Sequence, residues 1–409
     1  MGRTPGLVIG GSRCLAGHFV VKLPGRVLLL LVIIYLAFLS LGLPDGSFGV
    51  AWPLMYLELR LPVGLAGTFM TVGTLFTAIS GFSSGWVLAR VRTGPVVLAS
   101  CIATASGVMM LANARGALWF YAAAAPLGFG AGAVDAALNG YVARHYSGRH
   151  MNWLHACWGI GASAGPVIMG WASRAGHGWR AGFLLIGTIQ FALAIVFVLT
   201  LGLWAAVPER TVSAESVHGA DRTPKLPANS PAGWLSTVIF GLYVAVELTT
   251  GLWAATVLVV ARGFTPAQAA FCTAVYYGAI TGGRIALGFV AERLGNRRLV
   301  SYGIWVAAAG IGLYCLGGNL ATVTVALLLA GVGFAPVYPC LMHEVPRRFA
   351  PEAVQTVVGR QSGGASLGAA SLPAIAGAVA QYSVAAVPWV VLAVLLAMIG
   401  CIQRLNRLA

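Results

Sequence analysis

Apolar segments of about 20 residues recur along the whole chain, separated by short clusters of basic residues, proline and glycine. About 20 apolar residues are what a helix needs to cross the roughly 30 Å hydrocarbon core of a bilayer. Only 9% of the 409 residues are charged, whereas about a quarter are charged in a typical soluble domain. The pattern therefore predicts an all-α, polytopic membrane protein and excludes an ordinary soluble enzyme.

Breaks between the apolar segments divide the chain into twelve predicted membrane-spanning helices. The polar segment 207–232, rich in proline and serine, predicts a cytoplasmic linker between two six-helix bundles, 27–206 and 233–409, behind a tail of residues 1–26. The predicted spans are 27–56, 64–89, 94–113, 116–142, 151–174, 180–206, 233–261, 265–291, 297–317, 319–344, 353–381 and 384–404.

The net charge of +15 is explained by topology. Most of the 25 lysines and arginines fall in the tail, the linker and the connections on the same side as the termini. By the positive-inside rule, both termini are predicted to be cytoplasmic. Basic residues that set topology give no reason to expect a nucleic-acid partner. Arginine far outnumbers lysine, a usage that is associated with GC-rich bacterial genomes. This association favours a location in a bacterial inner membrane.

The sequence lacks the motifs for ATP hydrolysis, for cysteine chemistry and for metal binding. No phosphate-binding GxxxxGK[ST] loop is present, which disfavours ATP-driven transport. The seven cysteines have no CxxC or metal-ligand spacing and fit small helix-core residues. The set His150, Asn152 and His155 has no further ligand at a suitable spacing, so we predict neither a metal site nor a cofactor.

Three of the ten acidic residues lie inside predicted spans: Asp45, Asp135 and Glu247. An ionisable group in the bilayer costs about 2.5–3.5 kcal/mol on insertion scales, so its presence indicates function. Burial favours the neutral form of a carboxyl group, which can hold a proton in one conformation and release it when water or a cation arrives. The three acids are therefore the predicted proton-coupling groups.

Asp135 is the preferred proton site. Asn139 lies one turn further on the same helix face, so a carboxyl and an amide can serve coupling and solute binding together, or simply fix helix packing. Asp45 lies between Pro44 and Gly46, which predicts a kinked or loosened helix. The carboxylate and freed carbonyls there would bind solute or protons, unless the kink is purely structural.

Glu247 is predicted near the middle of the seventh span, close to Tyr243 and Trp253. It can accept hydrogen bonds from a polar solute or pair with Arg284 or Arg360, and the sequence leaves both possibilities open. The two arginines themselves either snorkel and pair at helix ends or exchange partners during a transport cycle. Because the acids outnumber them, a neutral or cationic solute is favoured over an anion.

Aromatic and amide side chains complete the predicted solute site, since rings stack on sugar C–H faces and Trp and Tyr supply hydrogen bonds. For each aromatic residue, core packing is an equally good interpretation. His155 is either a proton relay or a hydrogen-bonded structural residue. The predicted solute-binding residues are Asp45, Asn139, Trp158, Tyr243, Glu247, Trp253, Tyr276 and Gln361.

A short signature occurs after the second and the eighth span. Segment 288–298 (GFVAERLGNRR) resembles the cytoplasmic loop motif G-x-x-x-[DE]-R-x-G-x-[RK]-[RK] of the major facilitator superfamily, and segment 85–90 (GWVLAR) is a partial copy with Ala89 in place of the acid. Segment 161–166 (GASAGP) adds a Gly-Pro kink of the kind this superfamily carries. The resemblance implies two pseudo-symmetric bundles that rock around a central cavity. It implies gating by Gly288, Glu292, Arg293, Gly295, Arg297, Arg284 and Arg360.

Within the superfamily, the chain is most similar to the fucose permease-like sugar/proton symporters. The similarity rests on Asp45-Gly46, on Asp135 with Asn139, and on segment 333–339 (GFAPVYP). Segment 152–158 (NWLHACW) departs from the group's pattern, because His155 replaces a Gln and Trp158 replaces an Asn that contacts sugar. The resemblance implies sugar/proton symport, with fucose itself unlikely to carry over.

These observations favour a proton-coupled importer of a small polar solute, such as a sugar or polyol. The lipid bilayer and protons are its other expected partners, and a monomer is the superfamily's usual state. An exporter of drugs or metabolites in exchange for protons is the alternative, supported by the apolar lining and the departures at 152–158. A sensor or scaffold is disfavoured, because no soluble domain is present.

Overall fold

The computed structural model describes residues 25–88, 90–146, 148–205 and 225–408, which form thirteen α-helices. Nine helical segments in these residues are long and apolar enough to cross a membrane. The first half contains α1 (Gly25–Glu58), α2 (Leu65–Leu88), α3 (Thr93–Ala112), α4 (Ala117–His145), α5 (Gly148–Arg174) and α6 (Gly178–Thr200). The second half contains α7 (Pro231–Thr256), α8 (Pro266–Leu294), α9 (Asn296–Leu316), α10 (Leu320–Phe334), α11 (Val337–Arg348), α12 (Pro351–Tyr382) and α13 (Val387–Leu408).

The helices follow the predicted spans with one difference. The predicted span 319–344 is two helices, α10 and α11, which meet at Ala335 and Pro336. Proline has no backbone N–H to donate and its ring clashes with the preceding turn, so a helix is interrupted there. The predicted tail 1–26 and linker 207–232 lie mostly outside the described residues.

The bundle has two ends, which are defined by its helix termini. On the terminal face, where α1 begins and α13 ends, the Tyr146 hydroxyl donates to the Val27 carbonyl at 3.2 Å. On the opposite, distal face, Trp179 Nε1 donates to Glu58 at 2.7 Å. Each bond joins non-adjacent helices, so the helix ends are fixed relative to one another within the first half.

Glycines bring the backbones of α1 and α5 into direct contact. A Cβ atom added to any of them would overlap backbone atoms of the partner helix, so only glycine permits this approach. The segment GASAGP, in which the sequence predicts a kink, supplies two of these glycines on α5. The four positions are Gly42, Gly46, Gly161 and Gly165.

Helix α1 continues through Pro44 and Asp45, so the helix is not interrupted at the predicted kink. Proline cannot donate to the carbonyl four residues earlier, which is that of Ser40. The fully buried Gln190 of α6 compensates, because its Nε2 donates to the Ser40 carbonyl at 2.8 Å. A side chain from a neighbouring helix thus replaces the missing backbone bond.

The two halves touch mainly towards the distal face, through α1 with α7, α2 with α12 and α5 with α8. Gly67 lies against the Pro373 carbonyl, and Thr71 donates to the Ala370 carbonyl at 2.6 Å. In contrast, α4 and α11 make their main contacts within their own halves. From this distribution of contacts we infer a cavity between the halves that is closed distally and opens towards the terminal face.

Candidate functional site

The first half contributes Asp45 to the cavity wall. Trp158 Nε1 donates to Asp45 Oδ2 at 2.9 Å, across the close α1–α5 contact. The Asp45 side chain is exposed although it lies within a long apolar helix, as expected for a group that faces a cavity. The second oxygen of the carboxylate accepts no hydrogen bond from any described residue, so it can bind a ligand.

Asp135 of α4 is the second acid on this wall. Asn139 Nδ2 donates to Asp135 Oδ1 at 2.9 Å, so the predicted pair one turn apart does form. The Asp135 side chain is exposed, and it acts electrostatically on Tyr338 of α11, which places it towards the other half. The Asn139 Oδ1 atom is buried and has no hydrogen-bond partner among the described residues.

The second half contributes an ion pair to the opposite wall. Arg284 Nη2 lies 3.2 and 3.3 Å from the two carboxylate oxygens of Glu247, and it also donates to the Tyr243 hydroxyl at 3.1 Å. Tyr243 in turn donates to the Phe334 carbonyl at 3.3 Å. Of the two partners that the sequence allows for Glu247, the structure therefore selects Arg284.

His155 of α5 and Tyr277 of α8 lie near the charges of both halves, whereas Tyr276 is packed within the second half. The ring of His155 meets Phe38 edge-on at 5.6 Å, and the residue is within electrostatic range of Arg284. The Tyr276 hydroxyl is fully buried and donates to the backbone carbonyl of Glu247 at 2.9 Å, which holds α7 against α8. Tyr277 is within electrostatic range of both Asp45 and Glu247.

Three predicted site residues lie away from the cavity. Trp253 is buried and donates to the Pro373 carbonyl at 3.3 Å, so it packs α7 on α12. Gln361 is also buried between these two helices and donates to Ser236 Oγ at 2.7 Å. Arg360 binds the Ala228 carbonyl at 2.9 Å and fixes the chain before α7. Their side chains are committed to helix packing.

The loop motif after α8 makes a second polar cluster at the terminal face. Gly295 has φ of 78°, a left-handed conformation that favours glycine in the turn between α8 and α9. Arg297 Nε donates at 3.1 Å to the buried Glu344, which Arg347 and Arg348 also contact. The backbones of Gly288, Glu292 and Arg293 are helical, and the side chains of Glu292 and Arg293 lie outside the described part of the structure.

Sequence analysis missed two of these residues. Tyr338 lies beside Phe240, with ring centroids 4.9 Å apart, and faces the charges of Asp135, Glu247 and Arg284. Its place in the GFAPVYP segment, directly after the helix break, was the available signal. Glu344 was assigned to a span end, yet it is buried; the neighbouring pair of arginines was the sign that it would be paired.

Comparison with known proteins agrees with this geometry. The family model described as Major Facilitator Superfamily matches residues 34–261 and 235–405. No curated protein matches the sequence significantly.

Among solved structures, the chain is similar to a bacterial homologue of the human lysosomal transporter Spinster, in its inward-facing and unoccupied conformation (TM-score 0.77, 14% identity, 94% of this chain and 98% of that one). It is also similar to the nucleoside transporter NupG (TM-score 0.69, 12% identity, 92% and 99%). A third is the peptide transporter POT in complex with sulfate (TM-score 0.69, 14% identity, 93% and 95%). The TM-scores show a shared fold, and at such low sequence identities they show nothing beyond the fold. Since the family match extends over most of the sequence, the chain belongs to the major facilitator superfamily, whose members are secondary transporters and not enzymes.

Proposed function

We propose that this protein is a proton-coupled symporter of a small polar solute, sugar-like or polyol-like, which works by alternating access. The observation that carries the proposal is the Asp135–Asn139 pair, a carboxyl group bound to an amide on the cavity wall between the two halves. The carboxyl group can take up and release the coupling proton. The amide oxygen, which has no other partner among the described residues, can accept a hydrogen bond from the solute.

The arrangement of the halves supports alternating access. The cavity is closed by the contacts of α2 with α12 and of α1 with α7 at the distal face and widens towards the terminal face. Since the basic residues favour cytoplasmic termini, this is the inward-open conformation of a carrier in a bacterial inner membrane. We propose that it acts as a monomer, because each chain holds a complete pair of bundles.

The polar nature of the solute has two supports. Structural neighbours include, by name, a nucleoside transporter and a peptide transporter, which carry polar compounds. The resemblance to fucose permease-like symporters favours a solute that carries hydroxyl groups. Trp158 replaces a sugar-binding Asn of that group, and its side-chain N–H donates to Asp45. Fucose itself is therefore not the expected solute.

Reconstitution in liposomes that contain the pH dye pyranine tests the proposal. Sugars and polyols such as glucose, fucose and sorbitol are added outside at equal pH on both sides. Symport acidifies the lumen, because protons enter with the solute, and protein-free liposomes supply the background. Alkalinisation of the lumen would instead establish exchange for protons, as in a drug or metabolite exporter. No pH change with any solute would contradict proton-coupled transport of this class.

A further inference from the structure

One corner of the cavity, formed by Asp45, Trp158 and Tyr277, carries information about the solute. Trp158 holds one oxygen of Asp45 at 2.9 Å and leaves the other open. The backbones of α1 and α5 touch on either side of this bond, through Gly42 and Gly46. The carboxylate is therefore fixed in position before any ligand arrives, which lowers the cost of binding.

Tyr277 completes the corner with an unused polar group. The residue is only 5% exposed, and its hydroxyl makes no hydrogen bond to any described residue. A Cβ atom at Gly251 would overlap this hydroxyl, so the glycine makes room for it against α7. A hydroxyl that makes no hydrogen bond to the described protein can donate to or accept from a ligand or water.

The charges in the cavity are unbalanced. Glu247 is neutralised by Arg284, whereas neither Asp45 nor Asp135 has a basic partner within ion-pair distance among the described residues. Arg360, the other arginine of the predicted spans, is committed to Ala228. A carboxylate that faces a cavity without a cation from its own protein attracts positive charge, so each of the two acids can bind a proton or a cationic group from outside the chain.

The hydrogen-bonding groups on this wall point to the same conclusion. The Trp158 N–H is already used by Asp45, and one of the two Asn139 Nδ2 hydrogens is used by Asp135. Most of the groups that are left are acceptors: one oxygen on each carboxylate and the Asn139 Oδ1 atom, which is buried without a partner among the described residues. The Tyr277 hydroxyl and the second N–H of Asn139 can also donate. A ligand that satisfies this wall must donate hydrogen bonds. A proton on one carboxylate supplies one charge, and the second charge is left to the solute.

We propose that the transported solute carries a protonated primary amine, which binds Asp45 between the rings of Trp158 and Tyr277. An ammonium group supplies three donors and one positive charge, and aromatic rings favour a cation close to their faces. The rest of the solute, hydroxylated and uncharged, extends towards Asn139. The solute class is thus an amino sugar or amino polyol. This inference rests on the proposed symport, in which Asp135 carries the proton.

Matched pairs of compounds test the inference: glucosamine with glucose, and 1-amino-1-deoxysorbitol with sorbitol. Binding is measured as the rise in melting temperature of the purified protein, and proton movement with pyranine in liposomes, corrected with protein-free liposomes. The amine of at least one pair should bind at least about tenfold more tightly than its neutral partner, as a charged hydrogen bond provides. Asp45→Asn should remove this preference, whereas Glu58→Gln, on the distal face, should keep it.

The outcomes separate the inference from the proposed function. Equal binding of both members of each pair, or a preference that survives Asp45→Asn, overturns the amine inference. Proton entry with the neutral members would then leave the symport proposal intact. Amine binding that Asp45→Asn abolishes, but without proton entry, overturns proton symport and keeps the amine site. No response to any of the four compounds contradicts both.

Discussion

The two walls of the cavity treat their acidic residues in opposite ways. In the second half, Glu247 is held by Arg284 and Tyr243, and its charge is cancelled inside the protein. In the first half, Asp45 and Asp135 each accept one hydrogen bond from a neutral N–H and face the cavity without a cation among the described residues. A paired acid stabilises an arrangement, whereas an unpaired one is ready to bind protons or solute. The contrast supports our proposal that the first half carries the transport chemistry and the second half a stabilising ion pair.

The largest effect is expected on removal of one member of the ion pair. Glu247→Gln leaves the Arg284 charge buried without a counter-charge, so the free energy of unfolding should fall by about 3–5 kcal/mol. Unfolding in mixed detergent micelles measures this loss. Glu58→Gln is the matched control, because its pair with Arg180 is half exposed and should contribute about 0–1 kcal/mol.

Adding Arg284→Met to Glu247→Gln removes the stranded charge as well. The double variant should therefore recover part of the lost stability, since an apolar side chain of similar volume is tolerated at a former buried ion pair. A double variant no more stable than Glu247→Gln alone would contradict the conclusion that Glu247 neutralises the buried charge of Arg284.

A smaller loss of stability is expected on removal of the hydrogen bond from Gln190 to the backbone of α1. Gln190→Leu leaves the buried Ser40 carbonyl, which Pro44 cannot satisfy, without its donor. The free energy of unfolding should fall by about 1–3 kcal/mol, the usual cost of an unsatisfied buried polar group. Pro44→Ala in the same protein should restore stability, because alanine has the missing N–H. Failure of this rescue would mean that Gln190 stabilises the fold in another way.

Contact between the two halves can be weakened at one glycine. A Cβ at Gly67 meets the Pro373 carbonyl, whereas one at Gly73, further along α2, has no other atom within 4 Å. Gly67→Ala should therefore cost the distally closed conformation about 1–3 kcal/mol, and Gly73→Ala should leave it unchanged. Spin labels at Leu57 and Tyr382, both exposed on the distal face, report the distance between the halves. Equal distances in both variants would contradict closure at this contact.

The smallest effect on stability is expected at the unpaired acids. Asp45→Asn removes a charge that has no cationic partner and keeps an oxygen to accept the Trp158 N–H. The free energy of unfolding should change by less than about 1 kcal/mol, unlike that of Glu247→Gln. A loss as large as that at Glu247 would reveal a cation bound to Asp45 and would remove the contrast between the two walls.

Sequence patterns predicted those parts of the molecule that depend on local chemistry. Apolar segment length gave the helices, and the spacing of Asp135 and Asn139 gave a pair one turn apart on a single helix. The Asp45–Trp158 bond joins α1 to α5 and depends on how these helices rotate against each other, which no local pattern contains. For the same reason, sequence could not choose between Arg284 and Arg360 as the partner of Glu247.

Tertiary packing also decided which aromatic and amide residues reach the cavity. Trp253 and Gln361 resemble solute-binding residues in sequence, but their polar atoms serve the contact between α7 and its neighbours. Pro44 was predicted to kink or loosen α1, and Gln190, from another helix, donates to the Ser40 carbonyl that Pro44 leaves without its backbone donor. Each of these differences has one cause: a polar group within a helix can be satisfied by a distant segment as well as by a ligand.

The central claim, that an unpaired acid of the first half carries the coupling proton, is tested most directly at Asp135. Uptake of the solute into liposomes is compared for the unmodified protein and Asp135→Asn, first with an imposed proton gradient and then as exchange of labelled for unlabelled solute without a gradient. The proposal predicts that Asp135→Asn abolishes gradient-driven accumulation but retains exchange, because solute still binds and crosses. Accumulation that persists in Asp135→Asn would contradict it.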